Sequence, residues 1–145
     1  VNITAADVEK IIGISREFNI TELTNAIAYG NAAKAFKIAY YFGESPKQYP
    51  LPKTLGFLFF FFWKLEQIHA YTLQSSRPSL QEAASQAGLY YRTATSYIAA
   101  AQRYPLRKTM RIISSLKECD MKSKSNSRGS ATEGELLIEL LGKIF

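Results

Sequence analysis

The chain holds one histidine, His69, and one cysteine, Cys119, so the side chains that most often serve as base, nucleophile or metal ligand occur singly. A zinc centre takes three or four protein ligands, and this pair supplies two. An internal disulfide would need a second thiol. His69 has no serine, cysteine or carboxylate at a spacing that would make it a general base, and it reads as a packing or surface residue. Glu118 and Asp120 stand two apart, which on a helix turns them to different faces and argues against a catalytic carboxylate pair. Neither a Gly-x-x-x-x-Gly-Lys-[Ser/Thr] phosphate loop nor a Gly-x-Ser-x-Gly elbow occurs, so nucleotide hydrolysis and triad-type acyl transfer are not expected. The expectation is no catalytic residue, no metal and no cofactor.

Charge is the more informative chemistry. Residues 92–128 carry nine basic side chains (Arg92, Arg103, Arg107, Lys108, Arg111, Lys117, Lys122, Lys124, Arg128) against the acids Glu118 and Asp120. That is +7 locally. With +6 overall, the rest of the chain carries −1. Such asymmetry points to an acidic partner, either a phosphate backbone or an anionic protein face. Arg92, Arg103, Arg107, Lys108 and Arg111 are the candidate interface residues. Residues 82–102 also have the helix, glycine turn and second helix of a helix-turn-helix, with Arg92, Thr93, Thr95 and Ser96 where a recognition helix would meet bases. The plain alternative is an ordinary αα corner in which Tyr90 and Tyr91 are packed.

The elements that must position these residues read as helices throughout. Thr4 to Asp7 starts a short helix that Gly13 closes. An αα-hairpin follows over residues 20–42, broken at Gly30 and Asn31, where glycine takes the left-handed turn and asparagine caps the next helix; Gly43 is expected to stop it. Pro46, Pro50 and Pro52 interrupt the helix. Residues 53–73 form a long helix apolar nearly all round in its first half, LGFLFFFFW, which predicts the buried centre of a bundle. Lys53 and Lys64 bracket only ten residues, half of the ~20 needed to span a bilayer.

Ser79 and Glu82 make a capping box that opens a helix ending at Gly88. The next helix, 91–103, turns Ala94, Tyr97, Ile98 and Ala101 inward. After Pro105, the spacing of Leu106, Met110, Ile113 and Leu116 predicts a buried stripe with Arg107, Lys108 and Arg111 outside it. Residues 121–131 read as a polar loop. Thr132 and Glu135 form a second capping box, and Leu136, Leu137, Leu140, Leu141 and Ile144 mark a terminal amphipathic helix. At 47% hydrophobic and 21% charged the chain is globular. An all-α helical bundle is expected. Val1 in place of Met, with no cleavable leader pattern, suggests a piece of a longer polypeptide.

The order of motifs resembles a known family. Asn19, Ile20, Leu23, Ala26, Ile27 and Gly30, followed by Ala35 in an alanine-rich helix, match the Asn-Ile-x-x-Leu-x-x-Ala-Ile-x-x-Gly opening of the carboxy-terminal collar domain in the delta subunits of bacterial DNA polymerase III clamp loaders. The resemblance continues through the Ala84 to Gly88 turn, the helices from Tyr97 to Leu116, and an Asp-x-x-x-Lys signature at Asp120 and Lys124. Thr21 stands where the family is usually aromatic, and Tyr91-Arg92 replaces a usual Pro-aromatic pair. The resemblance implies that residues 1–17 end the small lid domain, that 18–145 are the collar domain, and that the amino-terminal AAA+-like clamp-binding domain is absent. It further implies a cytoplasmic, non-catalytic oligomerisation module in DNA replication. Its partners would be the gamma/tau and delta-prime subunits, the beta sliding clamp through the missing domain, and DNA in the assembled complex, with no membrane. The alternative is a helix-turn-helix DNA-binding domain.

Overall fold

The computed structural model describes residues 18–125 and 128–145. Seven helices carry them: α1 (Ile20–Ala28), α2 (Ala32–Glu44), α3 (Leu51–Thr72), α4 (Leu80–Gln86), α5 (Tyr91–Arg103), α6 (Leu106–Ser123) and α7 (Glu133–Ile144). No strand occurs among the described residues, and the fold is an all-α bundle. The helix expected near Thr4 and the assignment of residues 1–17 to a lid domain lie outside the described residues.

Local chemistry sets the boundaries. The Asn19 side chain accepts the Glu22 N–H at 2.9 Å, and Glu22 Oε2 accepts the Asn19 N–H at 3.3 Å, so this motif asparagine is one half of a capping box. Asn31, Ser79 and Thr132 cap α2, α4 and α7 by accepting the N–H three residues on, at 3.1, 3.1 and 3.2 Å. Gly30 and Gly88 sit at φ +70° and +85°. At each, paired bonds (Gly30 N–H to Ile27 and Asn31 N–H to Ala26; Gly88 N–H to Ser85 and Leu89 N–H to Ala84) close the preceding helix. This is the Schellman arrangement, which needs a left-handed residue where these glycines stand.

Packing centres on two helix pairs, α3 against α6 and α2 against α7. Leu58, Phe62, Leu65 and Ile68 of α3 are fully buried; Phe62 meets Tyr104 edge-on at 5.7 Å and Phe61 lies 4.8 Å from Tyr97. Tyr104 ties three elements together. Its hydroxyl donates to the Ile27 carbonyl at 2.9 Å, and its own carbonyl accepts from Thr109 Oγ at 3.1 Å and from His69 Nε2 at 2.7 Å. Because a carbonyl only accepts, His69 must carry its proton on Nε2. The lone histidine is thus a clip between α3 and the α5–α6 turn.

Several expectations are corrected. Gly43 does not stop α2, which runs on to Glu44; it lies where α2 crosses α7, and a Cβ on Gly134 would sit 2.8 Å from the Gly43 Cα. On α6 the buried row is Thr109, Ile112, Ile113, Leu116 and Cys119, while Met110 is exposed. The bond from Thr109 to the Tyr104 carbonyl fixes the rotation of that helix. Met121 to Ser123 belong to α6 rather than to a loop; ion pairs from Lys122 to Glu139 and from Lys124 to Asp120 hold this last turn. Most consequential, α3 is not wrapped on every side.

Candidate interaction surface

Helix α3 buries Leu51, Thr54, Leu55, Leu58, Phe61, Phe62, Leu65 and Ile68, a row at three- and four-residue spacing that is one face of a helix. The opposite face is open and carries four large aromatic side chains. Phe57, Phe59, Phe60 and Trp63 are 46%, 39%, 48% and 41% exposed. Exposed large apolar groups gathered on one helix face, unlike scattered ones, mark interaction sites. Lys53 and Gly56 lie on the same open face.

Two grooves flank this aromatic ridge. The first, of about 450 Å³, runs between Phe57 and Phe60 on one side and Ile20 and Thr24 of α1 with Arg92 and Ser96 of α5 on the other. The second, of about 380 Å³, lies between Gly56 and Phe59 and the Leu116, Lys117, Asp120 and Lys124 edge of α6. Lys64 borders the ridge. Its Nζ donates to the Ala87 carbonyl at 2.8 Å and stands 5.7 and 5.4 Å from the Phe60 and Trp63 ring centres, so it satisfies the carbonyl of the residue that caps the end of α4 and engages both rings at once.

The basic residues singled out from the sequence do not converge. Arg92 and Arg103 stand at opposite ends of the 13-residue α5, about 16 Å apart along its axis. The Arg103 guanidinium lies against Gly30 so closely that a Cβ there would overlap it. Lys108 Nζ stands 5.5 Å from the Tyr104 ring centre, while Arg107 and Arg111 are exposed on the first turns of α6. Further along, Lys122 pairs with Glu139 at 3.4 Å and Lys124 with Asp120 at 3.1 Å. Arg128 donates to the Ser123 and Ala131 carbonyls. Of the five candidates only Arg92 borders the ridge grooves.

The motif residues have structural work. Asn19 caps, Leu23 is fully buried, Gly30 and Gly88 turn the chain, and Asp120 pairs with Lys124 on successive turns of α6. In the helix-turn-helix segment, Thr95 Oγ donates to the Tyr91 carbonyl and Ser96 Oγ to that of Thr93, so both hydroxyls are engaged within their own helix. Tyr90 and Tyr91 are not packed. Tyr91 is 92% exposed and holds φ +56°, a strained value for a bulky residue.

Three buried groups among the described residues hold their protons more tightly than usual. Burial pushes the Cys119 thiol up from its ordinary value, and Glu139 adds to this; burial likewise raises Tyr97. Tyr104 is pushed up to about 12 by burial, with Arg103 pulling slightly the other way. No group of three or more His, Cys, Asp or Glu side chains able to hold a metal ion occurs among the described residues. Among them, no helix is long and apolar enough to cross a membrane.

The exposed half of α3 is what reading the sequence missed. The signal was present in Lys53, Gly56, Lys64 and Gln67, whose spacings of three, eight and three residues thread a polar and small-residue line along one helix face through the aromatic run. Comparison with known protein families, curated proteins and solved structures returns no match.

Proposed function

We propose that this chain is an assembly module of the kind its sequence resembles, the collar domain of a clamp-loader delta subunit, and that it works by binding other subunits rather than by chemistry. The observation that carries the reading is the α3 ridge, where Phe57, Phe59, Phe60 and Trp63 stand open on a chain of net charge +6. Covering such a face is favourable by about 25 cal/mol for each Å² of apolar surface removed from water. The motif residues fit a scaffold, because each maintains a helix end, a core contact or a surface ion pair. On this reading the partners are the gamma/tau and delta-prime collars, the location is cytoplasmic, and clamp opening belongs to a domain outside these residues.

Mixing the chain with gamma/tau and delta-prime subunits and sizing the products tests it. Co-elution in one complex is expected. A chain that elutes alone, where full-length delta assembles, overturns the proposal. The helix-turn-helix reading draws on Arg92 and Thr93, which are exposed together at the start of α5; it predicts duplex DNA binding whose salt dependence falls when Arg92, Arg103 and Arg107 are neutralised.

A further inference from the structure

The ridge has a definite length and a definite edge. From Lys53 to Gln67 it follows four turns of α3, about 21 Å at 1.5 Å per residue. The grooves on either side give a second helix the corrugation that helix packing uses. Arg92 stands on the far wall of one groove and Lys117 on the far wall of the other. Neither forms an ion pair among the described residues. Asp120 is engaged by Lys124 at 3.1 Å, and Glu66 stands one turn beyond Trp63, at the end of the ridge. The rim is therefore open, cationic and two-sided around an aromatic centre.

Each alternative occupant meets an obstacle. Bases stack on ring faces, and Lys64 lies against those of Phe60 and Trp63. A second copy of this chain, seated ridge to ridge, would bring cationic rims together. A bilayer suits a continuous apolar face, whereas polar helix edges wall this one on both sides. A protein helix meets none of these obstacles.

We infer that the α3 ridge seats an amphipathic helix of about 15 residues whose apolar stripe lies along Phe57, Phe60 and Trp63 and whose flanking carboxylates meet Arg92 on one side and Lys117 on the other. This is helix-in-groove recognition with the grooves doubled about a ridge. The inference rests on the proposed function only for naming which subunits carry the helix. Its chemistry follows from the ridge itself.

Trp63, the only tryptophan of the chain, stands on the ridge and reports its occupancy. The probes are two tryptophan-free 15-residue peptides sharing a leucine stripe at three- and four-residue spacing, one flanked by glutamates and the other by lysines. Titration followed by Trp63 emission is expected to favour the glutamate peptide by about tenfold or more at low salt. The preference should shrink as salt rises. Arg92→Glu with Lys117→Glu should reverse it, and Phe57→Ser with Phe60→Ser should abolish binding of both peptides while the helical circular dichroism stays unchanged.

Equal affinity for the two peptides, no binding of either, or binding indifferent to the ridge substitutions overturns the inference. So does a stronger response to oligothymidylate, to phosphatidylserine vesicles, or to self-association of the chain. The loader subunits separate this inference from the function it deepens. A complex with gamma/tau and delta-prime that tolerates the ridge substitutions refutes the inference and leaves the collar reading standing. No complex, with the glutamate peptide still bound, refutes the collar reading and leaves the inference standing.

Discussion

Replacing Gly134 by Ala should destabilise this protein, although glycine-to-alanine changes in helices ordinarily stabilise. The added Cβ would lie 2.8 Å from the Gly43 Cα, where 3.4 Å or more is an ordinary contact, so α2 and α7 must move apart by at least about 0.6 Å. A gap of that size forfeits about a quarter of the attraction of each affected atom pair. The helix pair it opens buries Ala35, Ile38, Ala39 and Phe42 on α2 and Leu137, Leu141 and Ile144 on α7. Overpacking of this kind costs about 1–3 kcal/mol. At about 3–5 °C per kcal/mol for a domain of this size, the midpoint of thermal unfolding, read by circular dichroism at 222 nm, should fall by about 3–15 °C. Gly142→Ala in the same helix is the control. Nothing lies within 4 Å of its Cβ position, and it should gain up to about 1 kcal/mol from helix propensity. A Gly134→Ala protein as stable as the wild type, or more so, would refute the close crossing of α2 and α7.

Further outcomes follow from the buried polar groups. Tyr104 holds its proton to about 12 in the folded chain against 10.0 when free, so its contribution is complete below pH 10 and lost as pH climbs towards 12. That amounts to roughly 1 kcal/mol by pH 11. Urea unfolding at pH 8 and pH 11 should therefore show a smaller difference for Tyr104→Phe than for the wild type. At pH 8 the same substitution removes the bond to Ile27 and should cost about 0.5–1.5 kcal/mol in urea unfolding. His69→Ala removes the donor to the Tyr104 carbonyl and opens a small void, so about 1–2 kcal/mol should be lost in the same assay, with no effect on the ridge. Cys119 is buried and its thiol is pushed up. Iodoacetamide at pH 8 should modify it at least tenfold more slowly in the folded chain than in urea.

Much of the fold was legible because much of it is set locally. Asn31, Ser79 and Thr132 announced helix starts within three residues of themselves, Gly30 and Gly88 announced helix ends, and the leucines of α7 named their own buried face. The features that were not legible depend on distant partners. Gly43 looks like a terminator until Gly134 is laid across it, and Met110 looks buried until Thr109 is bonded to Tyr104. The ridge failed for a different reason. With aromatic side chains on both faces of α3, the thin polar line of Lys53, Gly56, Lys64 and Gln67 marks the open face only weakly, and the positions of α4, α5 and α6 show which face is covered. The candidate arginines illustrate the same limit, since closeness in sequence put Arg92 and Arg103 together where the helix axis holds them apart.

The claim on which the account rests is that the open half of α3 exists to be covered by another subunit. Sedimentation velocity of the chain with gamma/tau and delta-prime, repeated with the Phe57→Ser/Phe60→Ser protein, tests this most directly. The account predicts one faster-sedimenting complex for the wild type and separate components for the substituted chain, with both chains equally helical. Identical sedimentation of the two mixtures would contradict it.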